Sequence, residues 1–209
     1  TGSVVDTSGQ VLPGATISLA NEQTADVRTA TSDARGDFTF RAVQPGTYTV
    51  VVERQGFRIA MKVLDRGRLH ISSVCVGVAE RLIEESVAYA AERKQFGVAI
   101  GTQQAVKHHL ADAAMKLRFA APVVYAAAWE LSTGAPTASR TVSTAKALAS
   151  DAARFTAAQA LQCHGAIGYT VEYDLHLYLK RTWALASRFG DARWHRRRVA
   201  ASLGLDSPA

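Results

Sequence analysis

The sequence predicts an α+β protein in separate domains: a small antiparallel β-sandwich followed by an all-α up-down four-helix bundle. Apolar residues recur at every second position in the first part of the chain and at every third or fourth position after Leu64, as in strands and then helices. The charge changes as well, from a net −1 up to Arg58 to a net +7 after it. We therefore place the boundary at Gly56, which gives domains 1–56 and 57–209.

Three short runs of alternating apolar residues are the predicted strands of the first domain. They lie at 15–20, 37–41 and 47–52. Turn signals precede them, namely Pro13-Gly14, the stretch 33–36 and Pro45-Gly46. Short strands that recur about every ten residues are typical of a small antiparallel sandwich.

Four local motifs of this first domain are specific. They are GSVVD at 2–6, LPGA at 12–15, GDF at 36–38 and PGTY at 45–48. Together they resemble the carboxypeptidase regulatory-like domains of bacterial envelope proteins, and the resemblance implies a non-catalytic spacer or interaction module. The composition agrees, because a zinc peptidase needs histidine ligands and residues 1–56 contain no histidine.

Helical periodicity predicts the elements of the second domain. The predicted helices span 68–92, 103–131 with Pro122 inside, an alanine-rich 139–164, and 172–187, with a shorter basic helix after Asp191. The three longest would each extend about 40 Å at 1.5 Å per residue, which suits an antiparallel bundle. Periodicity alone leaves the function of such a bundle open.

Four further motifs restrict the possible functions of the helical domain. They are LDRGR at 64–68, ERKQFG at 92–97, QQAV at 103–106 and QCHGAIGYT at 162–170. In this order and spacing they resemble the C-terminal helical domain of acyl-CoA dehydrogenases, over about 57–203. The resemblance implies FAD as cofactor, acyl-CoA as substrate, α,β-dehydrogenation as the reaction, and assembly into a homo- or hetero-oligomer.

The same resemblance assigns site residues. Those implied to bind the flavin nucleotide are Arg93, Phe96, Gln103 and Gln104, and those implied to approach the adenosine part of an FAD held by a neighbouring subunit are Gln162, Gly165 and Ala166. Arg93 offers a fork of donors to a pyrophosphate, although an arginine at a helix end also has a plainer explanation in the helix dipole. Asp65 and Arg68 match positions that contact acyl-CoA, and a charge pair at a helix start is the alternative.

The catalytic base is not identified. The family places a glutamate at one of two positions, and here these hold Gly190 and Gly67. Asp191 is adjacent and is the remaining candidate. The first domain is also too short for the barrel that covers the flavin ring. We therefore expect an incomplete or half-site flavoprotein domain, and the alternative is a non-catalytic envelope, scaffold or interaction module.

Other classes of function are disfavoured. The basic run 193–198 contains one aromatic residue, Trp194, and ends a helix, so we expect no nucleic-acid binding. No apolar run approaches the 20 or so residues that cross a bilayer. Cys75 and Cys163 lie in apolar surroundings without a CxxC motif, which predicts core residues and no metal site. The helical domain favours the cytoplasm and the β domain favours the envelope. Because the helical domain is the larger one, we expect a cytoplasmic location.

Overall fold

The computed structural model describes residues 1–6 and 9–205, with the backbone alone at 54–58. The chain separates into two compact units, Thr1–Val63 and Leu64–Ala209. The boundary between these units falls within helix α1, Gln55–Glu92. The helix therefore begins ahead of Leu64, where the helical period becomes visible in the sequence. The domain boundary at Gly56 stays a prediction.

The N-terminal unit contains two small antiparallel sheets. Strand β1 (Gly2–Ser3) pairs with β4 (Asp37–Phe38), and β2 (Ala15–Asn21) lies between β3 (Val27–Thr31) and β5 (Tyr48–Arg54). The buried side chains of Val4, Ala15 and Ile17 form its small core, against which Leu12, Phe38 and Phe40 pack. The predicted alternation at 15–20 thus places Ala15 and Ile17 of β2 in this core.

Strand β3 was not predicted. Its residues Val27, Arg28, Thr29, Ala30 and Thr31 are mostly exposed, because β3 is an edge strand, so no alternation marks it in the sequence. The chain beyond it is fixed by the buried hydroxyl of Ser32, which accepts a hydrogen bond from Ala15 N (2.8 Å) and donates one to Leu12 O (2.6 Å). Polar side chains therefore hold this edge in place.

The C-terminal unit is helical, as predicted. After α1 come α2 (Gln104–Thr133), α3 (Ala138–His164), α4 (Leu175–Ser187) and α5 (Ala192–Ser202). Helix α3 is central and contacts α2, α4 and α5, and its many buried alanines permit this close approach. The fold class, small antiparallel sheets followed by a helical domain, is confirmed.

Two short connections join the helices of this unit. Between α1 and α2 lies a hairpin of β6 (Lys94–Gln95) and β7 (Val98–Ala99), followed by a 3₁₀ turn at Ile100–Thr102. After α3 the chain makes a second 3₁₀ turn at Gly165–Tyr169. Both cysteines, Cys75 and Cys163, are free and buried. None of the helices at 1–6 and 9–205 combines the length and apolarity that a membrane span requires.

Candidate functional site

A groove of about 470 Å³ lies where the end of α1, the β6–β7 hairpin, the start of α2 and the end of α3 meet. Five of the seven residues predicted to bind the cofactor line it, namely Arg93, Phe96, Gln103, Gln162 and Gly165. Gln104 and Ala166 do not line the groove, although each follows a residue that does. The Gln104 amide nitrogen instead lies 2.9 Å from His108 Nε2, one turn further along α2.

The hairpin is built to hold Phe96 outward. Arg93 N donates to Tyr89 O (2.8 Å), and Ile100 N donates to Arg93 O (2.8 Å), which closes the base of the hairpin. At its tip Phe96 and Gly97 have φ of 53° and 84°, the combination that a two-residue I′-type turn requires. Phenylalanine is unfavourable at positive φ, and this side chain is 96% exposed. The Phe96 ring is exposed beside a groove in spite of an unfavourable backbone conformation, so it is suited to contact a ligand.

The opposite wall is the end of α3. Gly165 caps the helix with φ 66° and has no neighbouring atoms where a Cβ would stand, so its backbone is open to the groove. Beneath it the buried His164 ring stacks on Tyr89 with ring centroids 4.3 Å apart. Burial lowers the pKa of His164, so the ring is neutral, and its Nδ1–H donates to Ala160 O at 2.7 Å. This stacked pair makes a rigid floor.

The two residues predicted to contact acyl-CoA lie elsewhere and are nearly fully buried. Asp65 accepts hydrogen bonds from Arg68 Nη1 (2.7 Å), Arg198 Nη1 (2.9 Å) and Ser139 Oγ (2.7 Å). Although burial raises it, the hydrogen bonds from Arg198, Ser139 and Arg68 hold the pKa of Asp65 below its ordinary value. Asp65 and Arg68 thus form an interior ion network and do not stand at the start of a helix.

This network continues to the turn between α4 and α5. Arg68 Nε donates to Phe189 O (3.2 Å), and Lys146 Nζ donates to Gly190 O (3.3 Å). Lys146 is fully buried and also donates to Ser150 Oγ (2.8 Å) and Ala186 O (3.1 Å), so all three of its ammonium hydrogens have acceptors. Burial lowers the pKa of Lys146. Two interior cations therefore fix a turn whose residues Phe189 and Gly190 both have positive φ.

The two positions that lack the expected glutamate are both closed by this turn. A Cβ on Gly67 would lie 3.1 Å from Phe189 Cε2. A Cβ on Gly190 would lie 2.6 Å from Trp194 Cε3 and 3.1 Å from His195 Nε2. The Phe189 ring thus occupies space that a side chain at position 67 would need.

The remaining base candidate, Asp191, caps α5. Its Oδ1 accepts a hydrogen bond from Trp194 N at 2.7 Å, and this bond lowers the pKa of the carboxyl group. A carboxylate with a lowered pKa is a poor proton acceptor at neutral pH. Asp191 as a base stays a prediction that this geometry does not favour.

Sequence reasoning missed the interior residues around the turn. Lys146 stands one helical turn after Val142 on the buried stripe of α3, which is the one signal that it points inward. His195 is fully buried, and neither ring nitrogen has a hydrogen-bond partner among the described residues. Burial, with the charges of Lys146, Arg68 and Arg198, lowers the pKa of His195 to about 4, so the ring is neutral.

Comparison with known proteins matches both parts of the chain. The model of the acyl-CoA dehydrogenase C-terminal domain matches residues 54–204, and that of the carboxypeptidase regulatory-like domain matches residues 1–71. Both resemblances read from the sequence are therefore confirmed.

Individual relatives give the extent of the match. The caffeyl-CoA reductase-Etf complex subunit CarC of Acetobacterium woodii is 44% identical over 58% of this chain and 32% of its own length. The acyl-CoA dehydrogenase IpdE2 of Mycolicibacterium smegmatis is 33% identical over 85% of this chain and 54% of its own. Butyryl-CoA dehydrogenase from Megasphaera elsdenii superposes with a TM-score of 0.70 at 25% identity, over 96% of this chain and 54% of that one. The chain thus spans between about a third and about half of the length of these proteins.

Proposed function

The chain belongs to the acyl-CoA dehydrogenase family through its C-terminal domain, and we propose that this domain forms one wall of an FAD site in an acyl-CoA dehydrogenase-like assembly. The observation that carries the proposal is the convergence of Arg93, Phe96, Gln103, Gln162 and Gly165 on one groove. They come from two stretches that are separate in the sequence, 93–103 and 162–165.

The residues that line the groove suit part of a flavin dinucleotide. The Arg93 guanidinium can bind the pyrophosphate with two parallel hydrogen bonds, and the exposed Phe96 ring offers a stacking surface. The amides of Gln103 and Gln162 can donate and accept, and Gly165 lets the backbone come close because it has no Cβ. FAD, when bound, supplies the hydride acceptor, and the residues of this chain bind and orient its nucleotide. Gln104 and Ala166 belong to the proposal as neighbours of lining residues.

We propose further that the chain alone does not dehydrogenate acyl-CoA. Removal of the α-proton needs a base, and glycine stands at both family positions, Gly67 and Gly190. General base catalysis contributes about 10² to 10⁴-fold. In this proposal a second subunit, identical or different, provides the missing carboxylate.

For acyl-CoA itself we propose an indirect role for Asp65 and Arg68. Both side chains are nearly fully buried, so they act by holding the Phe189 carbonyl rather than by reaching the ligand. The half-exposed Phe189 ring is then the surface that faces the acyl group. The N-terminal unit serves as a spacer or interaction module, and the free, buried cysteines support a cytoplasmic location.

Titration of the purified chain with FAD, followed by flavin absorption, tests the cofactor proposal. We expect weak binding that Arg93→Ala reduces about tenfold or more, because a bidentate contact to phosphate is lost. Arg181→Ala is the matched control, since Arg181 is exposed on α4 and does not line the groove. Equal affinity of Arg93→Ala and wild type would contradict the proposal, and no flavin binding under any condition would favour the scaffold alternative.

A turnover assay with acyl-CoA, excess FAD and an artificial electron acceptor tests the half-site proposal. We expect no turnover from the chain alone and turnover when a subunit that carries the family glutamate is added. Turnover by the chain alone that disappears in Arg93→Ala would refute the half-site proposal. In that case Asp191 would become the candidate base, and Asp191→Asn would show whether it is.

A further inference from the structure

The first turns of α1 carry the sequence pattern of a strand. Residues 57–63 read FRIAMKV, with a large apolar residue at every second position, whereas the apolar residues of an amphipathic helix recur at every third or fourth. In α1 this order leaves Ile59 and Val63 exposed, by 58% and 59%. No residue at 59–63 is buried, and the buried side of α1 begins at Asp65. Because packing of one face supplies most of the stability of a helix in a protein, little holds 59–63 in this conformation.

The same segment lies where the two parts of the chain overlap. The match to the carboxypeptidase regulatory-like domain continues to residue 71, although the last strand of the N-terminal unit, β5, ends at Arg54. That compact unit itself extends to Val63. The helical segment 57–63 therefore belongs to the same compact unit as the strands.

Strand β5 offers this segment an open edge. One edge of β5 pairs with β2, and no strand of the described residues pairs with the other. At the end of the β2–β5 ladder Glu22 N donates to Thr47 O (3.1 Å). Hydrogen-bonded and non-hydrogen-bonded pairs alternate in an antiparallel ladder, so the backbone groups of Val50 and Val52 point away from β2, to the open edge. Such an edge is a template for a further strand.

The side chains along this edge are uncovered as well. Val50 pairs with Leu19, and Val52 pairs with Ile17, so all four lie on one face of the sheet. Ile17 is fully buried in the small core, whereas Val50 and Val52 are exposed by 53% and 45%. The core therefore ends before β5. A further strand with apolar residues on this face would extend the core over the two valines.

We propose that residues 57–63 are a conformational switch, which exchanges between the first turns of α1 and an additional strand antiparallel to β5. Gln55 and Gly56 form the two-residue loop of the resulting hairpin. A two-residue loop is the commonest hairpin connection, and glycine tolerates the positive φ that it requires. In the strand state α1 begins at Leu64, which is where the second compact unit begins.

The register of this hairpin agrees with both faces of β5. The two-residue loop sets the pairs Val52 with Ile59, Val50 with Met61, and Glu53 with Arg58. The apolar residues of 57–63 then fall on the core face, and a carboxylate stands opposite a guanidinium on the other face. The loop also makes Val50 and Val52 members of hydrogen-bonded pairs, as their orientation to the open edge requires. A slip by one residue would put Arg58 and Lys62 on the core face, so the pattern specifies a single register.

The rest of α1 has a fixed point that serves both states. Asp65 is held by Arg68, Arg198 and Ser139, all of which lie after the segment that changes. When α1 begins at Leu64, Asp65 lies in its first turn, where the helix dipole favours a carboxylate. The proposal does not rest on FAD binding, because the groove that Arg93 lines is formed by other residues.

Hydrogen exchange followed by NMR tests the proposal on the full chain. We expect the amides of Val50 and Val52 to exchange at least about tenfold more slowly than unpaired amides, because the added strand protects them. Ile59→Ala combined with Val63→Ala should abolish this protection, since alanine favours the helix and disfavours the strand. Val87→Ala is the matched control, because Val87 is an exposed valine further along α1. Unprotected Val50 and Val52 in wild type overturn the proposal, and so does protection that the double alanine variant retains.

Disulfide trapping then tests the register. Val51→Cys with Ala60→Cys places two cysteines in a non-hydrogen-bonded pair, whose Cα atoms are close enough for a disulfide. Val51→Cys with Ile59→Cys is the control, because those two side chains lie on opposite faces of the hairpin. We expect the first pair to crosslink about tenfold faster or more within one chain, by peptide mass mapping. Equal rates, or no crosslink in the first pair, overturn the proposal.

The loop gives a variant that shifts the switch the other way. Gln55→Asn creates the Asn-Gly loop that two-residue hairpins prefer, so it should speed the crosslink between residues 51 and 60 and slow exchange of the Val50 and Val52 amides. A Gln55→Asn variant that changes neither rate would overturn the proposed loop at Gln55 and Gly56. FAD titration of the same variants reports separately on the proposed cofactor site.

Discussion

The two ends of α3 carry polar residues in opposite states. At its C-terminal end Gln162 and Gly165 are exposed beside Arg93, and they line an open groove. Towards its N-terminal end Ser143 and Lys146 are fully buried. The buried group binds other parts of the same chain, whereas the exposed group leaves most of its hydrogen-bonding capacity for a ligand. The two ends of α3 thus carry two kinds of polar residue, those that line the groove and those that hold the protein around it.

The two glycines at the positions where the resemblance implies a glutamate belong to the buried end. Gly67 and Gly190 both lie there, around a turn that Arg68 and Lys146 hold through its carbonyl oxygens. Neither glycine therefore faces an open hole. Phe189 packs over Gly67, and Trp194 and His195 pack against Gly190.

The largest expected effect is at the buried end, on removal of Asp65. Asp65→Ala leaves Arg68 and Arg198 without their shared carboxylate in the interior, and we expect a loss of about 3–5 kcal/mol in the free energy of unfolding. Urea denaturation measures it. Asp151→Ala is the control, because Asp151 pairs with Arg196 at the surface and should cost about 1 kcal/mol or less. Equal losses would show that the network is not an interior one.

Acidification should protonate Asp65 and so remove its contribution to the stability of the fold. The folded-state pKa of Asp65 is lowered, so its stabilisation is fully present above the unfolded pKa of about 3.9 and is lost as pH falls through the folded value. Asp65→Ala should lack this part of the acid transition. An unchanged acid transition in the variant would mean that Asp65 is not held ionised by its partners.

The second-largest expected effect is the pH dependence of stability that His195 causes. Its folded pKa of about 4 lies below the ordinary 6.5, so the unfolded chain takes up the proton first on acidification. Stability is therefore full above pH 6.5 and falls by roughly 3 kcal/mol as pH drops towards 4. His195→Leu should remove this fall in stability between pH 6.5 and 4. The control His108→Leu, on the exposed start of α2, should retain it. A window that persists in His195→Leu would assign the loss to another group.

Some features of the fold and of the candidate site follow a local sequence pattern, and these could be predicted. Contacts between residues far apart in the sequence could not. The helices and the strands with alternating residues were predicted because each has a strong period, whereas the polar edge strand β3 has none. The groove-lining residues Arg93 and Gln162 lie in compact local motifs. By contrast, the partners of Lys146 are Ala186 O and Gly190 O, some 40 positions away, and no local pattern encodes them. The convergence of Arg93 and Gln162 on one groove likewise arises only in the folded chain.

The third effect compares the two glycines where the base would stand. Gly190→Ala should cost about 1–3 kcal/mol, because φ is 106° and a Cβ would meet Trp194 at 2.6 Å. Gly67→Ala should change stability by about 1 kcal/mol or less, since its gain in helix propensity offsets a 3.1 Å contact with a ring that can shift. Thermal unfolding of both variants measures the difference. A larger loss of stability in Gly67→Ala than in Gly190→Ala would mean that the Phe189 ring cannot shift away from a side chain at position 67.

The smallest effect is expected at the open end, and there stability and binding should move in opposite directions. Phe96→Asn places a residue that tolerates positive φ before Gly97, in the Asn-Gly order that such hairpin turns favour. Because the Phe96 ring is almost fully exposed, its removal loses little packing, and we expect a gain in stability of up to about 1 kcal/mol. FAD affinity should fall roughly tenfold with the loss of the stacking surface. Phe96→Tyr keeps the ring and should keep both properties. Thermal unfolding and FAD titration on the same samples separate the two effects. If Phe96→Asn lost stability together with FAD affinity, Phe96 would be a structural residue like those of the buried end. The contrast between the open groove and the buried network would then not hold for Phe96.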